Sequence, residues 1–137
     1  MIESVDSVEL AERLDRLAPE VRPAERIPVL LQVNVDGDSA KAGFDPDTLA
    51  DALPGLLALE RLDLRGLMTV GRLVGRPEDA RSTFVALRDL SARLRVLAPV
   101  LGAELSMGMS DDYPIAIEEG ATIVRVGRAL FGARRQP

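Results

Sequence analysis

Leu105-Ser-Met-Gly-Met-Ser110, followed by Gly120-Ala-Thr-Ile-Val-Arg-Val-Gly-Arg-Ala-Leu-Phe-Gly132, decides how this chain is read. The first stretch is an apolar strand running into a small turn that contains glycine and serine. A short helix separates it from a second strand, which carries an arginine in its middle and a glycine at its carboxyl end. Two neighbouring strand-to-helix turns with free backbone N–H groups form a phosphate site in α/β proteins. An interior guanidinium needs an acceptor, so the pattern predicts a phosphate-bearing cofactor with an acceptor atom of its own.

Working outward, apolar runs alternate with amphipathic segments. Ile2 to Val5 reads as a strand. Ser7 is the N-cap of a helix with Leu10, Ala11, Leu14, Leu17 and Ala18 on one face, ended by Pro19 and Pro23. Ile27 to Val35 is the second strand, and Asp45-Pro46 opens a helix through about Leu53. Leu64 to Val70 is the third strand. Pro77 opens a long helix that stops before Pro99. Ala103 to Met107 is the fourth strand, Asp111 or Asp112 caps the next helix, Gly120 closes it, and Ala121 to Val126 is the fifth strand.

Strict alternation of this kind predicts a parallel sheet in one domain, residues 1–137. In the second strand Val29, Leu31, Val33 and Val35 share an apolar face, opposite Leu30, Gln32 and Asn34. Polar groups at the carboxyl end of one face suit a barrel, whose inner face floors a site at the C-terminal rim. A doubly wound sheet would be apolar on both faces.

Composition removes several function classes. A net charge of −5 argues against a nucleic-acid partner. With no histidine and no cysteine, the commonest metal ligands and thiolate chemistry are missing, and no metal site is expected. The acidic, amphipathic N-terminal segment does not read as a signal peptide, and no apolar run suits a membrane span, so a cytoplasmic location is expected.

The segments Ser4-Val-Asp-Ser7, Val29-Leu-Leu-Gln-Val-Asn34, Lys41-Ala-Gly-Phe44, Arg65-Gly-Leu-Met-Thr69, Leu105-Ser-Met-Gly-Met-Ser110, Val124-Arg-Val-Gly127 and Phe131-Gly132 resemble, together and in order, the pyridoxal 5′-phosphate homeostasis protein family, single-domain relatives of the alanine racemase barrel. The resemblance implies a partial (β/α)8 TIM barrel of the alanine racemase type, with about five parallel strands corresponding to strands four to eight. It implies a carrier or buffer of pyridoxal 5′-phosphate without strong turnover. The family's Schiff-base lysine lies in the earlier strands, and Lys41 does not replace it. Half of a split racemase-like enzyme, and a plain interaction module, are the alternatives. Open sheet edges predict a homo-oligomer or a partner that supplies the missing strands.

The resemblance also implies the site. Gly108, Met109 and Ser110 would lie at the cofactor phosphate, with Gly127 and Arg128 forming the other half of the cradle, and Ser106 would also contact the cofactor. The competing reading is an ordinary turn plus close helix–strand packing. Arg125 would approach the pyridine nitrogen, or else form a buried ion pair with a carboxylate such as Asp6 or Glu104. Asn34 and Met68 would line the pocket, or simply pack and hydrogen-bond behind it. Helix capping accounts for Asp111 and Asp112, and Lys41 is expected as an exposed ammonium.

Overall fold

The computed structural model describes residues 1–72 and 74–132; Leu73 and residues 133–137 of the expected domain lie outside the described residues. Five parallel strands are arranged in sequence order: β1 (Ile2–Val5), β2 (Ile27–Gln32), β3 (Leu62–Met68), β4 (Glu104–Met109) and β5 (Ile123–Arg125). The crossovers are α1 (Val8–Val21), α2 (Leu49–Leu57), a 3₁₀ turn at Pro77–Ala80 leading into α3 (Arg81–Leu97), and α4 (Tyr113–Glu118); α5 (Arg128–Phe131) follows β5. An in-order parallel sheet of this kind is a half-barrel, and the predicted architecture stands at that level.

One face of the sheet and the inner faces of the helices make a single core. Val5, Val29, Leu31, Leu64, Leu67, Leu105 and Met107 from the strands pack with Leu53 and Leu56 of α2 and Phe84, Leu87 and Leu94 of α3. Each such fully buried side chain contributes about 1.5–3 kcal/mol relative to exposure. Leu30, Met68 and Ser106 are equally buried but stand outside that cluster, on the concave face. Register pairs Gln32 with Met68 and Met68 with Ser106, so these residues line up on one face.

The sheet is strongly curved. Ser106 of β4 donates a hydrogen bond to a Glu3 carboxylate oxygen on β1 at 2.7 Å. In a flat sheet, strands three apart lie roughly 14 Å from one another, beyond the joint reach of a serine and a glutamate. Tight strand spacing helps. At Gly66 (φ +148°) a Cβ would fall 2.0 Å from the Glu104 carbonyl oxygen, so β3 and β4 pass where no side chain fits.

Local signals held in part. Ser7 accepts the Leu10 N–H at 3.2 Å and caps α1 as the sequence implies. Pro19, expected to end α1, instead sits inside its last turn, and the helix runs to Val21, closed by the Arg22 N–H on the Ala18 carbonyl. A proline so near the end forfeits only one ladder bond, a cost that packing covers. Asp45 and Pro46 form a turn before α2 rather than its first residues: Asp45 accepts the Asp47 N–H through its side chain and the Leu49 N–H through its carbonyl. That helix then continues through Pro54 to Leu57, past the predicted end at Leu53. β2 stops at Gln32 because Val33 turns to bridge Phe44.

Candidate functional site

β4 and β5 end side by side, and the two turns that follow them interlock. Ser110 Oγ accepts the backbone N–H groups of Gly127 (3.2 Å) and Ala129 (3.1 Å). With both lone-pair directions so occupied, the hydroxyl hydrogen of Ser110 is left to donate to a further acceptor. Among the described residues no heavy atom lies within 4 Å of where a Cβ on Gly127 would be, so the rim has room there. Gly108 serves a different end. Its φ is +91°, and a Cβ would meet the Ala116 side chain at 2.5 Å, so this glycine lets α4 close onto β4.

Asp112 shapes the same turn in an unexpected way. It occupies the position before α4, yet its side chain makes no capping bond to that helix. Instead Asp112 Oδ1 accepts the Met109 N–H at 2.7 Å, folding the carboxylate back over the turn. The capping explanation is therefore corrected for this residue, and the Met109 N–H is already engaged. Asp111 is likewise no cap; it ion-pairs with Arg128 across the rim, which ties down the Arg128 guanidinium.

Arg125 points into the concave face, as strand alternation implies. Its Nη1 donates to Ser106 Oγ at 2.7 Å and its Nη2 to the Thr69 carbonyl at 2.8 Å. Thr69, itself buried, donates through Oγ1 to the Val33 carbonyl at 2.8 Å and so fixes the carbonyl that holds the arginine. Burial pushes the Arg125 pKa below the ordinary guanidinium value, opposed by the charges of Glu3 and Asp112. The alternative of a direct ion pair with Asp6 or Glu104 does not form: Glu104 accepts from Thr122 at 2.6 Å instead. Met68 is buried beside Ser106 on the adjacent strand and floors the same space.

Asn34 spends its side chain on its own loop. Its amide nitrogen donates to the Asp38 and Lys41 carbonyls (2.8 and 3.3 Å), and its Oδ1 accepts the Asp38 N–H at 3.1 Å. It thus braces the loop after β2 and lines a separate cavity of about 650 Å³ with Asp36, Asp45 and Asp47. Lys41 is only partly exposed, its ammonium donating to the Val70 carbonyl at 3.2 Å beside Asp38. Among the described residues no cluster of three or more acidic side chains is placed to hold a metal ion, and no helix is long and apolar enough to cross a membrane.

Glu3 is the functional candidate that sequence reasoning missed. The usable signal was slight: a lone carboxylate in a four-residue strand whose neighbours Ile2 and Val5 pack into the core.

The donor set fits a phosphorylated ring compound. The Ser110 hydroxyl hydrogen, left over after Oγ accepts two backbone N–H groups, suits the phosphate, while Arg125, a donor that cannot give up its proton, suits a neutral acceptor deeper in. Comparison with known proteins points the same way. Residues 1–135 match the family model for the alanine racemase N-terminal domain. The chain is 40% identical over 135 residues to a pyridoxal phosphate homeostasis protein of Aquifex aeolicus, covering 98% of this chain and 58% of that one. For the protein of the same name from Pseudomonas aeruginosa the values are 43%, 97% and 55%. Among solved structures, PipY of Synechococcus elongatus with pyridoxal phosphate bound superposes with a TM-score of 0.86 at 45% identity, over 96% of this chain and 60% of that one. Alanine racemase of Clostridium difficile, at 20% identity and a TM-score of 0.69, shares the fold, over 97% of this chain and 36% of its own. The chain thus spans somewhat more than half the length of the curated relatives it matches.

Proposed function

The chain belongs to the alanine racemase N-terminal domain family, and from that premise we propose that it binds pyridoxal 5′-phosphate and buffers it rather than turning it over. The observation that carries the reading is the Ser110 hydroxyl locked between the Gly127 and Ala129 N–H groups, with Arg125 facing inward two residues before Gly127. In this reading the Ser110 hydroxyl holds the phosphate through a charge-assisted hydrogen bond, and Gly127, whose N–H goes to Ser110, fixes that hydroxyl in place. Gly108 and Met109 shape the turn, and Arg128 holds the rim through Asp111. Arg125, oriented by Ser106 and the Thr69 carbonyl, meets the pyridine nitrogen. Met68 floors the pocket, and Asn34 acts through the loop it braces.

When bound, the cofactor supplies a reactive aldehyde and an electron-withdrawing ring. Arginine stays protonated, so it donates to the ring nitrogen without protonating it, and the ring remains a weak electron sink. That suits carriage or racemisation better than decarboxylation. Lys41 is held by Val70 and Asp38 in the loop after β2 and is not the aldehyde's partner in this reading. Binding by these residues is then reversible and non-covalent.

β1 and β5 each pair with a single neighbour in the described sheet. Unpaired parallel edges attract further strands, so we read residues 1–137 as one unit equivalent to strands four to eight of a barrel, its sheet extended by a second copy or by a partner. The binding proposal is tested by titrating the chain with pyridoxal 5′-phosphate and following ligand absorbance and quenching. Saturable binding lost in Arg125→Ala supports it, and undiminished binding in that variant refutes it.

A further inference from the structure

Arg125, Ser106 and Glu3 form a chain of hydrogen bonds with only one possible direction. A guanidinium has donors alone, so Arg125 must donate to Ser106 Oγ at 2.7 Å. The Ser106 hydrogen is then free to go only to the Glu3 carboxylate, also at 2.7 Å. Ser106 is fully buried, so water does not compete for its hydroxyl. The carboxylate of Glu3 therefore stands two hydrogen bonds from the guanidinium, in a half-buried setting where charges are weakly screened. The effect on a ligand follows from the sum of the two charges. Arg125 alone would be an anion site; Arg125 with Glu3 behind it is close to neutral yet still presents N–H donors.

We propose that Glu3 is a specificity-determining residue, cancelling the charge of Arg125 so that this end of the pocket admits a neutral acceptor, such as an unprotonated ring nitrogen, and turns away a carboxylate or a second phosphate. The assignment deepens the reading given under Proposed function and rests on Arg125 facing the ligand. It also accounts for the division of labour in the cavity. Anion recognition stays at the rim, where Ser110 Oγ accepts the Gly127 and Ala129 N–H groups and keeps its hydrogen for an anion. Neutral recognition stays at the floor. Asp112 adds a second negative charge near Arg125 from the β4 side, in the same sense as Glu3.

The test uses two probes on the full chain. Sulfate is titrated while the Arg125 Nε–H resonance is followed by NMR, the signal being assigned by its loss in Arg125→Lys. Glu3→Gln keeps the hydrogen bond from Ser106 and removes the charge, and should raise sulfate affinity at Arg125 roughly tenfold, the effect of one charge at this range. Glu3→Asp restores the charge and should return the affinity toward the wild-type value. Mere structural damage would not produce such a gain. Equal sulfate affinity in wild type and Glu3→Gln, or the same gain in Glu3→Asp, overturns the assignment. The second probe is 4-deoxypyridoxine 5′-phosphate, which lacks the aldehyde and is titrated at alkaline pH, where its ring nitrogen is unprotonated and accepts. Its affinity relative to sulfate should fall in Glu3→Gln. Should the wild type ignore this compound while the sulfate contrast holds, the ligand reading of the site fails and the role of Glu3 in excluding anions stands.

Discussion

Ser110, in the turn after β4, accepts the backbone N–H of Gly127, at the end of β5, at 3.2 Å. Two turns 17 residues apart in sequence thereby become one rim. The rim and the Arg125 floor are built on adjacent strands, so a change in either reaches the other through β4 and β5.

Ser110→Ala should remove both accepted hydrogen bonds and lower stability by about 1 kcal/mol. It should also weaken binding of pyridoxal 5′-phosphate more than that of pyridoxal, which has no phosphate. Paired titrations with the two compounds check this; equal losses for both would place Ser110 outside the phosphate site.

Arg125→Lys keeps the charge but cannot reproduce the fork that spans Ser106 and the Thr69 carbonyl. Affinity for 4-deoxypyridoxine 5′-phosphate should drop at least tenfold with little change in melting temperature. Isothermal titration beside a thermal melt separates the two effects.

Gly66→Ala places a Cβ 2.0 Å from the Glu104 carbonyl oxygen, a contact that only movement of β3 or β4 can relieve. We expect a loss of roughly 3 kcal/mol or more, or failure to fold. Gly75→Ala, where nothing lies near the added methyl, is the control and should be close to neutral.

Acid sensitivity follows from two surface carboxylates at the start of α3. Glu78 is held below the usual carboxylate range by its hydrogen bond from Arg81, and Asp79 by its hydrogen bond from Arg76. A depressed folded-state value means the stabilisation is present above the unfolded values, near pH 4, and fades as pH falls through the lower folded values. Both groups are exposed, so the effect is small and screened by salt. Melting temperatures between pH 7 and pH 2.5, in low and in 0.5 M salt, should show the decline, reduced in Glu78→Gln.

The outer edges of β1 and β5, each paired on one side only among the described residues, should drive self-association. Size-exclusion chromatography with light scattering is expected to give a mass above the 14.8 kDa of one chain. A clean monomer across a dilution series would count against the sheet being extended in solution.

Much of the fold was legible because its signals are local. Alternation in β2 separated Val29, Leu31 and Val33 from Leu30 and Gln32, and the structure puts the first set in the helix-covered core. Ser7 was readable as a cap because a short side chain followed by an amphipathic run leaves it little else to do. The prolines misled, since Pro19 and Pro54 sit in helices whose packing outweighs one lost ladder bond. Asp111 and Asp112 misled for the opposite reason: capping is a short-range inference, while their actual partners are Arg128 across the rim and the Met109 N–H behind the helix.

The amino-acid order by itself determined the five βα repeats, the glycine-bearing turns after β4 and β5, and the inward face of Arg125, because each depends on residues within a few positions of one another. Only the tertiary structure decided what Arg125 meets. Its partner Ser106 lies 19 residues away, and the Glu3 that backs Ser106 lies 103 residues away, three strands across the sheet. Curvature brings those side chains within 2.7 Å. Curvature is a property of the assembled sheet, summed over every strand twist and close glycine contact, and no single segment carries it.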